Sequence, residues 1–189
     1  MSTVKKLVAG WGINDADYPV VKFETLLEAR NSGRKSRLVL WKCPYYRMWA
    51  SILNRVVRGK RYKGASVDPR WRRFSAFRSW AVSQPYSVGN VLDKDIKMGV
   101  TTKIYSPDTC MFVSPRLNAA CMRAKGYIKK GNIFLPNHVS VSYQPSFKTE
   151  PQALEWYSTQ RANYILALAE FEHIENRDHI IAYAYSIKP

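Results

Sequence analysis

Cysteine, histidine and long apolar runs are all scarce in this sequence, and each scarcity excludes a class of protein. The three cysteines, Cys43, Cys110 and Cys121, are odd in number and form no C-x-x-C pair, so neither a disulfide framework nor a zinc cluster is predicted. No apolar run is long enough to cross a bilayer, and the first residues lack the apolar segment of a secretory signal. These absences predict a cytoplasmic protein with no membrane partner.

Histidine is absent before residue 138. His138, His173 and His179 all fall in the C-terminal third, and their spacing matches no common metal-ligand motif. Solvated histidines are therefore the preferred interpretation at 173 and 179. The central part of the chain lacks the side chain that most often acts as a general base near neutral pH.

Acidic residues are nearly absent between Arg34 and Arg78. Asp68 is the single acid in that stretch, against fourteen lysines and arginines, so the stretch carries +13 of the formal net charge of +16. Such segregation is unfavourable through self-repulsion unless a polyanion neutralises it. We expect a nucleic acid as the partner, with double-stranded DNA first and RNA as the alternative.

The basic stretch contains a predicted strand at 38–41 and two predicted helices. Apolar residues recur at helical spacing from Tyr45 to about Arg58, and Asp68 with Pro69 predicts the start of a second helix whose aromatic residues pack inward. A glycine-bounded basic loop separates the two helices. The side chains predicted to contact phosphates are Arg47, Arg55, Arg58, Lys60, Arg61, Lys63, Arg70, Arg72 and Arg73.

The middle of the chain holds two short apolar runs, at residues 91–92 and 110–113, which suit buried strands. Ser114 and Pro115 then predict an N-cap and a first helical residue, with the helix running to about Arg123. The predicted order is strand, loop, strand, helix.

That order resembles the ββα-metal core of HNH endonucleases, especially the homing-endonuclease-like proteins of tailed phages. HNH cores carry an Asp-His pair at the end of the first strand, an Asn before the second strand, and an Asn or His nine residues later on the helix. Thr109 and Asn118 have that separation, and residues 105–113 are similar to the sequence of phage members at this place. Upstream stretches that also resemble the family are Gly12 to Tyr18, Cys43 to Tyr46, Arg61 to Gly64, and Trp71 with Phe74, Phe77 and Trp80.

The resemblance implies a divalent cation and a general base, and the sequence departs from the motif at both. If Asp93 takes the metal position, Lys94 stands where the histidine base belongs; a shift of one residue instead gives Asp93 the base position and Leu92 the ligand position. Thr109 replaces the second motif residue. The residues that this comparison assigns to catalysis are Asp93, Lys94 and Thr109, and those it assigns to Mg²⁺ are Asp93, Asp95 and Asn118. Alternatively, these side chains only cap a turn and a helix.

Residues 126–189 are predicted to contain a small basic turn at 126–131, strands at 133–135 and 139–143, and a long helix that begins with a capping box at Thr149. The apolar side of that helix is predicted to be Leu154, Tyr157, Tyr164, Ile165, Leu168 and Phe171. The region faintly resembles the three-stranded DNA-binding module of ethylene-response type. Its many acids predict instead a surface that faces a protein partner.

An apolar content of 46% indicates a folded chain, and the pattern predicts an α+β protein of three parts: a basic helical part at 1–87, an HNH-like ββα core at 88–125 and a C-terminal part of strands and a helix at 126–189. The predicted function is that of a metal-dependent DNA endonuclease or nickase, located in the host cytoplasm if the protein is of phage origin. The alternative is a DNA-binding protein that has lost catalysis and has a regulatory, packaging or structural role.

Overall fold

The computed structural model describes residues 7–33, 36–59, 62–85, 89–99, 103–122, 124–138 and 142–189. In those ranges the predicted α+β class is confirmed. The elements in chain order are β1 Val21–Phe23, α1 Leu26–Asn31, β2 Val39–Lys42, α2 Pro44–Arg58, β3 Ser66–Val67, a 3-10 turn Pro69–Trp71, α3 Phe74–Ser83, β4 Val91–Asp93, β5 Ile104–Tyr105, β6 Met111–Val113, α4 Pro115–Cys121, β7 Tyr127–Lys130, β8 Ile133–Pro136, α5 Glu150–Ala169 and α6 Ile174–Ser186.

The chain divides into two compact units. The first unit comprises Met1–Gln84 and Lys103–Asp108, and the second unit comprises Pro85–Thr102 and Thr109–Pro189. The second unit therefore holds β4, β6 and α4 together with the C-terminal helices, whereas β5 pairs in parallel with β3 inside the first unit. The predicted division into three parts stays a prediction.

Aromatic side chains form the interior of the first unit. Trp49 of α2 is fully buried, and its Nε1 donates to the carbonyl oxygen of Trp71 at 2.7 Å. Phe74 lies 5.6 Å from Trp49 between ring centroids, and Phe77 lies 5.0 Å from Trp71. These separations are typical of favourable aromatic pairs, so the predicted inward side of the aromatic helix is confirmed.

The second predicted helix begins later than expected. Asp68 does cap a turn, since its carboxylate accepts from the backbone N–H of Arg70 at 2.8 Å, but that turn is a short 3-10 segment. The chain then extends, because Ile13 pairs with it on both sides: Ile13 donates to the carbonyl of Arg72, and Phe74 donates to the carbonyl of Ile13. Helix α3 starts only after this pairing, at Phe74.

The second unit contains the predicted order of two antiparallel strands and a helix. Leu92 of β4 is paired with Phe112 of β6. Ser114 caps α4, because its hydroxyl oxygen accepts from the backbone N–H of Leu117 at 3.1 Å. The helix ends at Cys121, two residues earlier than predicted; Arg123 itself lies outside the described residues. A single apolar core joins this segment to α5 and α6, and its buried members include Met111, Leu117, Ile165 and Ile180.

The C-terminal region corrects three predictions. Residues 127–130 are not a turn but strand β7, which pairs with β8 through a reversal at Gly131, whose φ is +57°. The predicted strand at 133–135 is confirmed as β8, but 142 and 143 are not in a strand, and 139–141 lie outside the described residues. Phe171 is not on the apolar side of the long helix, because α5 ends at Ala169 and Phe171 in the following turn is 85% exposed.

Candidate nucleic-acid interface and ββα segment

One side of α2 is basic and faces solvent. Arg47 and Arg58 lie eleven residues apart with Ser51 and Asn54 between them, at spacings of four, three and four residues that place all four on one helix face. Both arginines are exposed. At a rise of 1.5 Å per residue their Cα atoms are separated by about 16 Å along the axis. Among the described residues neither arginine pairs with a carboxylate.

Two further basic residues, one in the last turn of α2 and one in the turn after it, are exposed. Arg55 of α2 has its guanidinium 6.0 Å from the ring centroid of Tyr62. Lys63 is also exposed and, in the part of the chain that the structure describes, forms no ion pair. Lys60 and Arg61, two further predicted contacts, lie outside the described residues.

Arg70 differs from the α2 arginines because two carboxylates hold it. Its Nε and Nη2 atoms donate to the two oxygens of Asp68 at 3.0 and 2.7 Å, and Nη2 also donates to Asp108. These contacts lower the pKa of Asp68 and raise that of Arg70. The charge of Arg70 is therefore largely offset within the protein.

Arg72 and Arg73 are exposed and only lightly engaged. Arg72 Nε donates to the carbonyl of Trp11 at 3.4 Å, and Arg73 lies 3.6 Å from the carboxylate of Asp15. That carboxylate is already occupied by Ser75, whose backbone N–H and hydroxyl donate to it at 2.9 and 2.7 Å. Burial raises the pKa of Asp15, but the Ser75 hydrogen bonds outweigh it and the pKa is lowered.

The two units differ strongly in charge. The first unit has nineteen lysines and arginines against six acids, a formal charge of +13, and the second has eleven against eight, a formal charge of +3. The basic character is thus a property of one folded unit. Its predicted contact residues are all exposed where the structure describes them.

Arg78 is a basic residue of the first unit that the predicted contact set omits. Its guanidinium lies 5.7 Å from the ring centroid of Tyr18, and both residues line a surface cavity of about 490 Å³ together with Asp17 and Ser75. Tyr18 precedes Arg78 by sixty residues and no motif connects them, so the sequence carries no signal for this pairing.

In the second unit, Asp93 caps a turn at the end of β4. Its Oδ1 atom accepts from the backbone N–H groups of Asp95 and Ile96 at 2.7 and 2.9 Å. Burial raises the pKa of the Asp93 carboxyl, and these hydrogen bonds offset only part of the rise. Oδ2 accepts no hydrogen bond from a described residue. The turn-capping alternative therefore accounts for one of the two carboxylate oxygens.

Lys94 and Asp95 form an ion pair with each other, and the Lys94 side chain is only 13% exposed. A lysine ammonium in such a pair has no lone pair with which to accept a proton from water, so this arrangement does not favour Lys94 as a general base. Asp95 is likewise engaged and is a weaker candidate for a metal ligand than Asp93.

Thr109 and Asn118 occupy different surroundings. Thr109 is buried, with its hydroxyl 3.8 Å from Cys110 Sγ. Asn118 lies half-buried in α4, a helix that packs against β4, the strand ending in Asp93. Among the described residues no group of three or more His, Cys, Asp and Glu side chains is placed to hold a metal ion. The assignment of Asp93, Asp95 and Asn118 to Mg²⁺ stays a prediction.

One carboxylate and one amide suit Mg²⁺ only when water and substrate supply the other ligands. Mg²⁺ commonly binds through one or two protein oxygens and completes its octahedron with water and substrate phosphate. Asp93 and Asn118 would hold such an ion, and the ion would polarise a phosphodiester. Asp93 and Asn118 provide too few ligands to bind a cation by protein side chains alone.

Helix α4 is held at both ends by residues that the sequence did not indicate. The carboxylate of Glu172 accepts from the backbone N–H of Ser114 at 3.1 and 3.2 Å. Arg161 donates to the carbonyl oxygens of Ala120 and Cys121 at 2.8 and 2.6 Å. A negative group at the N-terminus and a positive group at the C-terminus both oppose the helix dipole. The C-terminal helices thus position the ββα segment.

The three histidines all belong to the C-terminal region of the second unit. His138 is buried with its ring 5.5 Å from that of Tyr157, and burial lowers its pKa. His173 is exposed and caps α6 by accepting from the backbone N–H of Glu175. His179 is exposed as well, in agreement with the predicted solvated state of the last two.

In the described ranges, every helix is too short or too polar to span a bilayer. Comparison with protein-family models, with curated proteins and with solved structures finds no match to this chain. The resemblance to HNH endonucleases therefore stays a prediction that the residues themselves carry.

Proposed function

We propose that this protein binds double-stranded DNA through the basic side of α2 and the turn that follows it. The observation that carries the proposal is the set of Arg47, Arg58 and Lys63, which are exposed and pair with no carboxylate among the described residues. They belong to a unit of formal charge +13. A surface of this kind gains free energy when it releases the counterions condensed on a nucleic acid.

The geometry of α2 suits a duplex backbone. The Cα atoms of Arg47 and Arg58 lie about 16 Å apart along the helix, which exceeds the major-groove width of about 12 Å. Two long side chains at that spacing reach phosphates on both sides of the groove. Contacts to phosphate carry no sequence information, so we expect affinity for any duplex.

A salt titration with two matched triple variants tests this function. The first variant replaces Arg47, Arg58 and Lys63 with glutamine. The control replaces Lys125, Lys129 and Lys130 of the second unit, which removes the same charge from exposed positions. Fluorescence anisotropy with a labelled duplex then gives the slope of log K against log[salt]. Each phosphate contact contributes about 0.9 to that slope, so the first variant should flatten it by up to about 2.7, while the control leaves it unchanged.

Equal effects of the two variants would show that net charge, and not the α2 side, governs binding. Duplex RNA in the same assay separates the two nucleic acids, because A-form RNA has a deep, narrow major groove that side chains do not enter. Tighter binding to duplex RNA than to duplex DNA would replace DNA with RNA as the partner.

A second candidate function, DNA nicking, is favoured by one observation. Asp93 ends β4 with Oδ2 accepting no hydrogen bond from a described residue, and α4 with Asn118 packs against the same strand. This activity requires Mg²⁺ held between Asp93, Asn118 and a DNA phosphate. Without a histidine in the segment it would be slow, since a well-placed general base contributes about 10² to 10⁴ in rate. If nicking is absent, a regulatory, packaging or structural role for the DNA-binding protein remains.

A further inference from the structure

The hairpin of β1 and β2 with the adjoining helix α1 exposes an unusual amount of apolar surface. Seven large apolar side chains between residues 23 and 41 are each 42% to 68% exposed. Five are aliphatic, and two, Phe23 and Trp41, are aromatic. The aliphatic members are Leu26, Leu27, Leu38, Val39 and Leu40. Alternate residues of β2 point to opposite faces, so Val39 and Trp41 share one face of the hairpin and Leu40 lies on the other. Clustered apolar exposure of this kind marks an interaction site, and we call these seven residues, on both faces, the hairpin surface.

The charges around the hairpin surface are basic. Lys22 Nζ lies 5.6 Å from the ring centroid of Trp41, and the guanidinium of Arg37 lies 5.0 Å from that of Phe23. Glu24 is 4% exposed and accepts from the backbone N–H of Leu38. Glu28, which closes the N-terminal cap of α1, is exposed, but the exposed Lys22, Arg30 and Arg37 outnumber it. The hairpin therefore presents apolar side chains with a positive rim.

A second exposed apolar set has the opposite rim. In the turn between α5 and α6, Phe171 is 85% exposed, and Ile174 at the start of α6 is 72% exposed. Asp178, Ile181 and Tyr185 continue along α6 at spacings of four, three and four residues from Ile174, which places them on one face, and all three are exposed. We call these five residues the α6 surface.

Acids dominate the neighbourhood of the α6 surface. Glu170 and Glu175 flank it and are exposed. Two cations are near in sequence. Arg177 donates to the carbonyl oxygens of Glu170 and Glu172 at 2.8 and 3.1 Å, and Lys188, two residues past the end of α6, is exposed; the exposed acids Glu170, Glu175 and Asp178 outnumber them. The α6 surface therefore combines exposed apolar side chains with a negative rim.

We propose that the hairpin surface of one copy docks on the α6 surface of a second copy, so that the chain associates head to tail. The two surfaces complement each other in charge, which sets the partner and the orientation of a protein contact. Two hairpin surfaces facing each other would instead oppose Lys22 and Arg37 of one copy to the same residues of the other. Unpaired bases are a poorer occupant, because platforms for bases are built from aromatic rings and most of this surface is aliphatic.

Head-to-tail contacts are not self-limiting. In a dimer, one copy keeps an unoccupied hairpin surface and the other keeps an unoccupied α6 surface. Association therefore continues to longer chains unless the geometry closes a ring. The inference is independent of DNA binding, since neither surface includes Arg47, Arg58 or Lys63. It concerns the full-length protein alone in solution.

Complementation between two surface variants tests this arrangement by sedimentation velocity. Val39→Asp blocks the hairpin surface on the face of Trp41, and Phe171→Lys blocks the α6 surface; both sites are exposed, so folding is expected to be retained. The wild type should form dimers and larger species as concentration rises. In contrast, each variant alone should dimerise poorly, because one of the two surfaces in every contact carries the substitution. A 1:1 mixture should form a dimer that grows no further, because it contains one intact hairpin surface and one intact α6 surface.

Val82→Asp, at another exposed apolar position of the first unit, is the matched control and should associate like the wild type. If circular dichroism shows that Val39→Asp is unfolded, Val39→Ser replaces it. Three results would overturn the proposal: a wild type that stays monomeric at every concentration, a Phe171→Lys variant that associates as well as the wild type, or a mixture of the two variants that remains monomeric.

Discussion

Arg161 donates through Nη2 to the carbonyl oxygen of Cys121 at 2.6 Å, which places a cation from α5 at the C-terminal end of α4. Tyr183 of α6 donates to the same carbonyl at 3.0 Å, and Glu172 accepts from the N-cap of α4 at the other end. A helix of seven residues is too short to be stable by itself. Its persistence depends on these partners and on its buried side, Leu117 and Cys121.

Removing the cation at the end of α4 should destabilise the second unit. Arg161→Leu leaves the carbonyl of Ala120 without its side-chain donor and removes one of the two donors to the carbonyl of Cys121, and losing such a donor costs about 1–3 kcal/mol when the acceptor is partly buried. Arg116→Leu is the matched control, because Arg116 is exposed and, among the described residues, its side chain donates to Tyr164 alone, and surface changes usually stay within about 0.5 kcal/mol. Urea unfolding measures both. Equal free energies of unfolding for the two variants would show that the α4 end contacts contribute little.

The half-buried carboxyl of Asp93 predicts a pH dependence of stability. Burial raises its pKa in the folded protein above the ordinary value of 3.8, so the folded state binds the proton more tightly than the unfolded state does. The stabilisation is complete below the unfolded pKa and is lost as pH rises through the folded pKa. Asp93→Asn keeps an oxygen for the N–H groups of Asp95 and Ile96 but does not titrate.

Unfolding by urea between pH 4 and pH 7 should therefore show a smaller loss of stability for Asp93→Asn than for the wild type. Asp178→Asn, an exposed acid of the same unit, serves as the control and should follow the wild type. A pH profile for Asp93→Asn that coincides with that of the wild type would mean that Asp93 does not set this dependence.

Local signals in the sequence were sufficient for several elements. The helical periodicity of α2, the inward aromatic residues of α3 and the Ser114 cap are determined by neighbours within a few residues, and all three are confirmed. The prediction of a basic turn at 126–131 was wrong. A lysine pair next to glycine suits a loop, but Lys129 and Lys130 are exposed strand residues of a hairpin whose inner partner, β8, comes later in the chain.

Contacts that join distant residues had no sequence signal. Glu172 reaches Ser114 across 58 residues, and Arg70 reaches Asp108 across 38. Arg70 was predicted to contact phosphate because it lies in the basic stretch. Nothing in the sequence indicates that a carboxylate from a later loop lies next to it. The same limit applies to Asp93 and Asn118, whose role depends on partners and ligands that spacing alone does not determine.

The difference between free and paired arginines gives a direct test at the interface. Arg47→Gln removes a charge that pairs with no carboxylate in the described part of the chain, and it should reduce the slope of log K against log[salt] for duplex DNA by about 0.9. Arg70→Gln should change it far less, because Asp68 and Asp108 already offset that charge. Anisotropy titrations on one duplex compare the two. A larger effect of Arg70→Gln than of Arg47→Gln would move the proposed contact from α2 to the turn before α3.

Nicking of supercoiled plasmid is the final prediction, and it separates the two candidate functions. If Asp93 ligates Mg²⁺ together with a DNA phosphate, the wild type should convert supercoiled plasmid to the relaxed form in Mg²⁺ and not in EDTA. Asp93→Asn should abolish this activity, because it removes the charge that the cation needs, while the turn-capping oxygen and the affinity for duplex are retained.

The control for the nicking assay is Asp178→Asn, which removes one exposed acid from the same unit and should nick like the wild type. Relaxation by Asp93→Asn at the wild-type rate would assign the activity to another site or to a contaminant. If the wild type binds duplex but leaves plasmid supercoiled in Mg²⁺ and Mn²⁺ over hours, the ion pair of Lys94 with Asp95 and the absence of a core histidine supply the physical reason. In that case the ββα segment has a structural role, and the proposed function is DNA binding through α2 alone.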